Sequence, residues 1–325
     1  MQENQIKIFH FKHDLKIVIT NFLLNHNTSI GGCRYKPYPS VHDAIGDSYD
    51  LSYAMALKAY YLGIPYGGAK SVIYNPNKLS FEQIAPFLGE AINALKGTYI
   101  ASIDIGIGSK EIDILTQYTD YVFGTPLQFD PSKYTAEGVI ECLNYLISSM
   151  PKTSDISVAI QGLGKVGSLI ANHCIQHGFK VYGADICKDS IEPFLSHSNF
   201  IQTNCDDILT TSCDILIPAA GGNVINASNI NQLNTSYICS VANNPIDNPL
   251  ELTTQLQQKN IIFIPDFITN SGGLLSVANT LETNKDKRSS IDCIPKIMAS
   301  LLGRYQNENL YHKAIEQFET GINLA

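Results

Sequence analysis

The sequence predicts an α/β protein of two domains, in which a mixed α/β domain precedes a doubly wound parallel sheet. The chain has 325 residues, a length that suits two domains better than one. From residue 156 onward, five apolar strand-like runs alternate with helix-sized segments. That alternation is typical of parallel strands joined by crossover helices. A hydrophobic content of 44% with 16% charged residues further indicates a globular protein with a buried core.

The first domain, residues 1–134, is predicted to mix strands and helices. Residues 7–22 alternate in polarity around the turn "KHD", which predicts a β-hairpin. Residues 41–62 predict a helix that is apolar over most of its circumference. The runs "AKSVIY" and "TYIASIDIG" predict buried strands, separated by a helix near 80–95. We therefore assign this domain to substrate binding and catalysis, on the residues discussed below.

The second domain, residues 135–285, opens with a helix predicted over 135–149 that connects the domains. Its strands are predicted at 156–161, 179–185, 213–218, 237–242 and 261–265. We expect the helices of residues 286–325 to return to the first domain, and the active-site cleft to lie between the two domains.

Charge and cysteine usage exclude several classes of function. A net charge of −8 and a pI near 5.4 argue against nucleic acid or an anionic membrane as partner. The N-terminus lacks the layout of a signal peptide, and no apolar run reaches the ~18–20 residues of a membrane helix. The eight cysteines are scattered without a CxxC pair, as in reduced core thiols. We therefore expect a cytoplasmic protein.

Histidines offer one weak candidate for a metal site. His173 and His177 lie four residues apart on a predicted helix. No third ligand follows at a suitable spacing, so a helix surface explains them better and no metal is expected.

A glycine-rich turn is the most specific local signal. The segment "ISVAIQGLGKVGSLIANHCIQHGFKVYGAD" runs from a buried strand through Gly162-x-Gly164-x-x-Gly167 into a helix, then into a second strand. Such glycines permit a tight turn, close approach of a pyrophosphate and close helix–strand packing. The helix N-terminus offers N–H groups and a positive dipole end to the diphosphate. This context predicts a dinucleotide site of the Rossmann type.

The acid at the end of the second strand favours NAD. Asp185 follows Gly167 by 18 residues, where a carboxylate accepts hydrogen bonds from an adenosine ribose diol. Its charge would repel the 2′-phosphate of NADP. Lys188, just beyond, is the residue that could soften this exclusion.

Two lysines and one aspartate are isolated charges within apolar segments of the first domain. Lys58 and Lys70 are the charges of "LSYAMALKAYYLGIPYGGAKSVI", and Asp104 is the charge of "GTYIASIDIGIGS". A buried lysine has a lowered pKa and can act as a base or bind a carboxylate. Each residue alone also fits an ordinary surface or turn position. A buried carboxylate needs a partner, however, and a lysine is the obvious one.

The chain resembles the glutamate/leucine/phenylalanine/valine dehydrogenase family, most closely its leucine dehydrogenase branch. The resemblance covers roughly residues 20–285, with matching segments in the same order and at similar spacing. They include "HNTSIGGCR", "MALKAYYLGIPYGGAKSVI", "YIASIDIG", "TDYVFG", "TAEGV", "CDILIPAAGGNVIN", "SVANNPI" and "PDFITNSGGLLSVANTLE".

The resemblance implies roles for the isolated charges. Lys70 corresponds to the lysine that activates water, and Asp104 to the acid/base that carries protons to and from the amine. Lys58 corresponds to the lysine that binds the substrate carboxylate. The remaining implied substrate-binding residues are Gly31, Gly32, Ile30, Ser102, Asn244, Leu274 and Val277. The implied cofactor-binding residues are Thr135, Gly162, Gly164, Lys165, Val166, Gly167, Asp185, Ala219, Asn243 and Asn270.

The implied activity is the reversible, NAD-dependent oxidative deamination of an apolar L-amino acid to a 2-oxo acid and ammonia, by a homo-oligomer. The side-chain pocket offers no cation for a distal carboxylate, which disfavours glutamate and favours a branched-chain substrate. Ser102 and Leu274 depart from the smaller apolar residues of leucine enzymes and would shrink the pocket. A relative specialised for an aromatic or unusual amino acid or 2-oxo acid is one alternative. A non-catalytic, NAD-binding regulatory protein is another, although such a protein has no reason to keep buried lysines.

Overall fold

The computed structural model describes residues 5–123, 130–151, 155–282 and 289–324. The chain divides into two compact units, Met1–Phe129 with Thr320–Ala325, and Asp130–Glu319. The strands of the first unit are β1 (Gln5–His10), β2 (Lys16–Phe22), β3 (Ser29–Tyr35), β4 (Gly67–Tyr74) and β5 (Tyr99–Ser102). Its helices are α1 (Val41–Leu62), α2 (Phe81–Asn93) and α3 (Ser109–Leu115).

The second unit alternates strands with helices. Its strands are β6 (Ser157–Gln161), β7 (Lys180–Ala184), β8 (Phe200–Gln202), β9 (Ile215–Pro218), β10 (Tyr237–Cys239) and β11 (Ile262–Ile264). Its helices are α4 (Pro131–Ser148), α5 (Gly167–Gln176), α6 (Lys188–Ile191), α7 (Pro249–Gln258), α8 (Asp266–Thr269), α9 (Gly272–Leu281) and α10 (Cys293–Arg304). Helix α11 (Leu310–Leu324) follows and runs past the boundary at Glu319.

The first unit is built on a mixed sheet of order β1-β2-β4-β3-β5. The predicted hairpin is present, since β1 pairs antiparallel with β2, and β2 with β4. Strand β3 lies between β4 and β5 and runs parallel to both. No strand was expected at β3, because Gly31 and Gly32 weaken its strand pattern. This interior position places Gly31 opposite Ala101 and Gly32 opposite Ser102, the last residue of β5.

Helix α1 packs closely on β4 because glycines open the strand. A Cβ atom at Gly68 would lie 2.1 Å from the backbone nitrogen of Ala56, inside α1. The helix begins at Ser40, whose hydroxyl accepts a hydrogen bond from the N–H of Asp43, and ends at Gly63 in the left-handed region. Both helix ends are therefore fixed while the helix middle lies against the strand that carries Lys70.

Buried hydroxyls join α1 to the sheet. Ser48 donates to the carbonyl of Lys70 over 3.1 Å, and its hydroxyl lies 2.8 Å from that of Thr20 on β2. Ser52 donates to the carbonyl of Thr20 over 3.0 Å. These hydrogen bonds satisfy polar groups that burial would otherwise penalise, and they fix the register of α1 against β4.

The second unit contains a parallel sheet of order β11-β10-β9-β6-β7-β8. Its strand order reverses between β6 and β9, and ligands of such sheets bind at the carboxyl ends of the strands at this point. The predicted doubly wound parallel sheet is thereby confirmed. The five predicted strands are present, although shorter than their apolar runs. Strand β8 was not predicted, because its three residues lie between Asn199 and Thr203 and are not part of a longer apolar run.

The expected return of residues 286–325 to the first domain differs from the observed grouping. Helix α10 packs on α4 and α8, and the Tyr311 ring of α11 lies 5.8 Å from that of Phe267. Only Thr320 and the residues after it group with the first unit, where Gly321 lies against Tyr60. The boundary between the units also falls at Asp130 rather than at residue 135. The sequence of an amphipathic helix shows that one face is apolar but not which domain that face will pack on. The sequence alone therefore could not assign these C-terminal helices to a unit.

Among the described helices, none combines the length and the apolar character required to cross a bilayer.

The substitution Gly68→Ala tests the close contact between α1 and β4. Its methyl group would overlap backbone atoms of Met55 and Ala56, which cannot move independently of the helix. We expect a loss of about 1–3 kcal/mol in the free energy of unfolding, measured by chemical denaturation. Gly46→Ala on α1 is the matched control, because a Cβ atom there meets nothing within 4 Å. The control should be neutral or stabilise by up to about 1 kcal/mol, and equal losses in both variants would contradict the packing argument.

Candidate active site

The first unit brings Lys70 and Asp104 into direct contact. The Nζ atom of Lys70 lies 2.8 Å from Oδ2 of Asp104. Lys70 is in the middle of β4, and Asp104 follows β5 in a turn whose backbone hydrogen bonds join it to Ile107. The Lys70 residue is 6% exposed, which excludes the surface position that its sequence context also allowed. The partnership predicted between a buried lysine and a carboxylate is present.

Burial and charge set the protonation of this pair. Burial holds the pKa of Lys70 below its ordinary 10.5; the Asp104 carboxylate opposes this shift and the Arg34 guanidinium adds to it. For Asp104, burial alone would raise the pKa, but Lys70 and Arg34 outweigh it and hold that pKa below 3.8. The site therefore combines an ionised carboxylate with an amine that loses its proton more readily than a lysine in water.

Arg34 is a third member of the cluster, and no role was predicted for it. Its Nε atom donates to Oδ2 of Asp104 over 2.7 Å, and its Nη1 atom lies 3.3 Å from Asp47 on α1. Arg34 is 9% exposed. A charged residue that ends the run "SIGGCR" inside a buried strand was the available signal, but its partners are distant in sequence.

Asp47 pairs with the Nη1 end of the Arg34 guanidinium, the end that does not contact Asp104. The hydroxyl of Tyr38 donates to Oδ2 of Asp47 over 2.6 Å, and the Nζ atom of Lys36 lies 3.1 Å from the same oxygen. Burial by itself would raise the pKa of Asp47, but these partners and Arg34 hold it below 3.8. The result is a line of alternating charges from the half-exposed Lys36 to the buried Lys70.

Gly31 and Gly32 are glycines for steric reasons. A Cβ atom at Gly31 would lie 1.6 Å from the carbonyl oxygen of Ala69 on β4. At Gly32 it would lie 2.7 Å from Cβ of Asp104 and 3.2 Å from Nζ of Lys70. The buried Tyr99 hydroxyl supports this strand from behind by donating to both glycine carbonyls, over 3.1 Å and 3.3 Å. Gly32 therefore lies beside the charged pair, while the predicted role of both glycines in lining a substrate pocket stays a prediction.

Three further predicted substrate-binding residues lie in the first unit. Ile30 pairs with Gly68 of β4 and is 1% exposed, and the half-buried Ser102 pairs with Gly32. Lys58 is on α1 and is 6% exposed, so it does not extend to the surface as the alternative interpretation required. Their roles toward a substrate stay predictions.

The glycine loop of the second unit has the form that the sequence predicts. Gly162 has φ of +96°, and a Cβ atom there would lie 2.9 Å from the backbone nitrogen of Ala220, next to Ala219 at the end of β9. A Cβ atom at Gly167 would lie 2.0 Å from the carbonyl oxygen of Gly162. At Gly164, by contrast, it would meet nothing within 4 Å. Two glycines therefore close the turn, and the third leaves open space above it.

The loop fits the diphosphate of a dinucleotide. The N–H groups of Gly164, Lys165 and Val166 donate to no backbone carbonyl in the described part of the chain. They precede the first turn of α5, where the helix dipole favours an anion.

Asp185 is fixed next to this loop. Its Oδ2 atom accepts a hydrogen bond from the N–H of Leu163 over 2.7 Å, and its Oδ1 atom accepts one from Cys187 over 2.8 Å. Each carboxylate oxygen keeps a second lone pair, so the group can still accept from a ribose diol.

Buried amide oxygens lie in the same unit. Asn270 donates through Nδ2 to Oδ1 of Asn243 over 3.0 Å and to the carbonyls of Val241 and Ala242. Its own Oδ1 atom is buried, and no hydrogen-bond donor reaches it among the described residues. The same holds for Oε1 of Gln161, the residue before Gly162, which was not predicted as a site residue. Unpartnered acceptors fit the amide and hydroxyl donors of a nicotinamide nucleotide.

The other predicted residues of this unit lie on the elements that follow. Asn244 has φ of +48°, and its N–H donates to the buried carboxylate of Asp266 over 2.9 Å. Thr135 lies on α4, close to Gly273 of α9. Leu274 and Val277, on α9, are each 8% exposed. The predicted site residues therefore form two groups, one in each unit.

The rings of His173 and His177 are tilted by 33° with their centroids 4.0 Å apart, and Nε2 of His173 lies 3.0 Å from Oδ1 of Asn144. No group of three potential metal ligands from His, Cys, Asp or Glu occurs in the described ranges.

These features define the class of protein: a two-domain α/β protein with a dinucleotide-binding sheet and a buried lysine–carboxylate pair. The model of the glutamate/leucine/phenylalanine/valine dehydrogenase family matches residues 185–293. The model of the Glu/Leu/Phe/Val dehydrogenase dimerisation domain matches residues 8–121. Phenylalanine dehydrogenase of Caldalkalibacillus thermarum (strain TA2.A1) is 31% identical over 273 residues, 79% of this chain and 74% of that relative. Leucine dehydrogenase of Bacillus subtilis (strain 168) is 30% identical over 275 residues, 82% of this chain and 75% of that relative.

Solved structures agree with the fold. The L-tryptophan dehydrogenase from Nostoc punctiforme superposes with a TM-score of 0.82 at 26% identity, covering 98% of this chain and 95% of that one. A hetero-hexameric glutamate dehydrogenase from Thermus thermophilus gives a TM-score of 0.72 at 18% identity, over 99% of this chain and 89% of that one. The chain belongs to the glutamate/leucine/phenylalanine/valine dehydrogenase family, a family of amino acid dehydrogenases, as the resemblance predicted.

The substitution Asp104→Asn tests the electrostatics of the cluster. Because the folded state lowers the pKa of Asp104, its ionised form contributes stability that is complete above 3.8 and is lost as the pH falls through the folded-state pKa. We expect the variant to be less stable than the wild type at neutral pH and the two to converge in acid. Denaturation midpoints measured across this range check the prediction, with the exposed Asp113→Asn as control. A gap between wild type and Asp104→Asn that is constant at all pH values would count against it.

Proposed function

We propose that the protein catalyses the reversible, NAD-dependent oxidative deamination of an apolar L-amino acid to a 2-oxo acid and ammonia. The observation that carries this proposal is the 2.8 Å contact between buried Lys70 and Asp104, in a chain that belongs to an amino acid dehydrogenase family. In this proposal the first unit supplies the catalytic groups and the second unit the cofactor site.

Each charged side chain has a separate chemical task. A bound nicotinamide ring supplies the hydride acceptor for the α-carbon, which leaves an iminium on the substrate. Lys70, as the free amine, takes a proton from water so that the water attacks the iminium carbon. The Asp104 carboxylate first accepts a proton from the substrate ammonium, which frees the amine for hydride loss, and later returns this proton to the departing nitrogen. The carbinolamine then loses its hydroxyl proton and collapses to the 2-oxo acid and ammonia. Lys58 binds the α-carboxylate, and Asn244 lies near the nicotinamide and the substrate.

Residues of the second unit would hold the cofactor. The N–H groups of Gly164, Lys165 and Val166 suit the diphosphate. Asp185 suits the ribose diol, and Asn270 with Asn243 suits the carboxamide. Thr135, Lys165 and Ala219 are proposed to complete this site. The charge of Asp185 is the reason to prefer NAD to NADP.

The proposed substrate has an apolar side chain. Ile30, Leu274 and Val277 are aliphatic, and none of the proposed pocket residues carries a charge that would pair with a distal carboxylate. Leucine, valine and isoleucine fit this description. A methylene of pocket volume is worth only about 1–3 kcal/mol, so the choice among them depends on small differences.

An aromatic amino acid is the second candidate. The relatives named phenylalanine dehydrogenase and L-tryptophan dehydrogenase are about as similar to this chain as the one named leucine dehydrogenase. The hydroxyl of half-buried Ser102 also adds a polar group to the proposed pocket, which a purely aliphatic substrate does not need.

Assembly and location are also part of the proposal. The match to a dimerisation domain supports a homo-oligomer, a dimer or larger. Four of the eight cysteines are buried as free thiols, which agrees with the proposed cytoplasmic location.

A panel of L-amino acids with NAD, with NADH formation followed at alkaline pH, tests the activity. We expect turnover of leucine, valine or isoleucine, and a fall of about 10²–10⁴-fold in kcat for Lys70→Ala, because the general base is lost. Lys12→Ala, at an exposed loop position, is the control and should retain full activity. Activity confined to phenylalanine or tryptophan would support the second candidate. No turnover in either direction, with NADH binding retained, would favour a non-catalytic nucleotide-binding protein.

The substitution Asp185→Ser tests the choice of cofactor. It removes the charge that would repel a 2′-phosphate and keeps a group that can accept from backbone N–H donors. We expect kcat/KM with NADP to rise relative to NAD by at least about tenfold, equal to about 1.4 kcal/mol. Asp189→Ser, an exposed aspartate four residues along the chain, is the control. An unchanged ratio of kcat/KM with NADP to kcat/KM with NAD would show that Asp185 does not discriminate between the two cofactors at the ribose.

A further inference from the structure

The Asp104 carboxylate uses one of its two oxygens for both of its cations. Both Lys70 Nζ, at 2.8 Å, and Arg34 Nε, at 2.7 Å, contact the same oxygen, Oδ2. Among the described residues, no hydrogen bond reaches Oδ1. One oxygen is therefore committed to the protein, and the other is available to a substrate nitrogen.

A lysine and an aspartate alone would be a poor catalytic pair. In a buried site an isolated aspartate stabilises the ammonium form of its neighbour, because losing the proton would leave an uncompensated negative charge. Lys70 must lose its proton to act as a base. The site therefore requires a second, permanent cation to compensate Asp104 when Lys70 is neutral.

Arg34 meets this requirement. A guanidinium stays protonated at every working pH, whereas a lysine in the same position could itself lose a proton. With Lys70 neutral, the charges of Arg34 and Lys36 balance those of Asp104 and Asp47. With Lys70 protonated, the cluster holds one buried positive charge in excess.

The geometry also explains why this residue is an arginine. Its Nε atom contacts Asp104 while its Nη1 atom lies 3.3 Å from Asp47, so one planar group bridges two carboxylates. Asp47 is anchored on α1 and held by Tyr38 and Lys36. The shorter, single-headed lysine cannot make both contacts.

We propose that Arg34 is a positioning residue that keeps Asp104 ionised and oriented while Lys70 gives up its proton. The groups that face Lys70 are Asp104 after β5, with Arg34 and Cys33 on β3. Helix α1 adds Asp47, through Arg34, and a second buried cation, Lys58. The catalytic consequence rests on the proposed function, whereas the effect on Lys70 does not.

Direct titration of Lys70 tests the proposal without any need for turnover. The full chain is labelled with ¹³C at the lysine ε-carbons, and the Lys70 signal is assigned by its loss in Lys70→Ala. We expect Arg34→Gln to raise the titration midpoint of Lys70 by at least about one pH unit. At any pH below both midpoints, the variant would then hold about tenfold less free amine than the wild type. Arg34→Lys, which keeps a positive charge, should move it less. Arg304→Gln, an exposed arginine on α10, is the matched control.

Activity gives the second readout. If the proposed function holds, the rise of kcat/KM with pH should occur at a higher pH in Arg34→Gln than in the wild type, by the same shift as the Lys70 titration. Activity should recover once the pH exceeds the new midpoint. Arg34→Met is the second neutral variant if Arg34→Gln does not fold. An unchanged Lys70 titration in a folded neutral variant would overturn the proposal, as would an equal effect of Arg34→Lys. A wild type without turnover would instead reject the proposed function and leave the titration result to stand alone.

Discussion

The charged cluster of the first unit depends on one carboxylate oxygen, Oδ2 of Asp104, which accepts hydrogen bonds from both Lys70 and Arg34. Buried charges are tolerated only when their partners are held in position. Here the partners come from strands far apart in sequence, and each needs a fixed register. The sheet order β1-β2-β4-β3-β5 supplies that register, since it places β3 between the strand with Lys70 and the strand that leads to Asp104.

Small residues make this arrangement possible. Gly31, Gly32 and Gly68 lie where any side chain would overlap backbone or the charged pair. The space beside Gly68 is filled by α1, the space beside Gly31 by the backbone of β4, and the space beside Gly32 by the charged pair. The apolar core thus buries the amine, while the hydroxyls of Ser48, Ser52 and Tyr99 satisfy the backbone around it. The close packing of the sheet is therefore what lowers the pKa of Lys70, because it buries the amine.

The second unit follows a simpler rule. Parallel strands place their carboxyl ends along one edge, and the loop after β6 meets the end of β9 where the strand order reverses. Gly162, Gly167 and Asp185 could be predicted from sequence because they are neighbours along the chain within one strand–helix–strand unit. Gln161 could not, because the burial of its amide oxygen without a donor is visible only in three dimensions.

The sequence by itself determined the local features: the hairpin, the long helix α1, the parallel strands, the glycine loop and the three isolated charges. These follow from periodicity, turn chemistry and the cost of burying charge, all of which act between near neighbours. Only the tertiary structure decided that β3 lies between β4 and β5, that residues up to Glu319 group with the second unit, and that Arg34 and Asp47 complete the cluster. The physical reason is that ion pairs and helix docking join residues distant along the chain. Many partners satisfy the same charge or apolar face equally well until the packed backbone selects one.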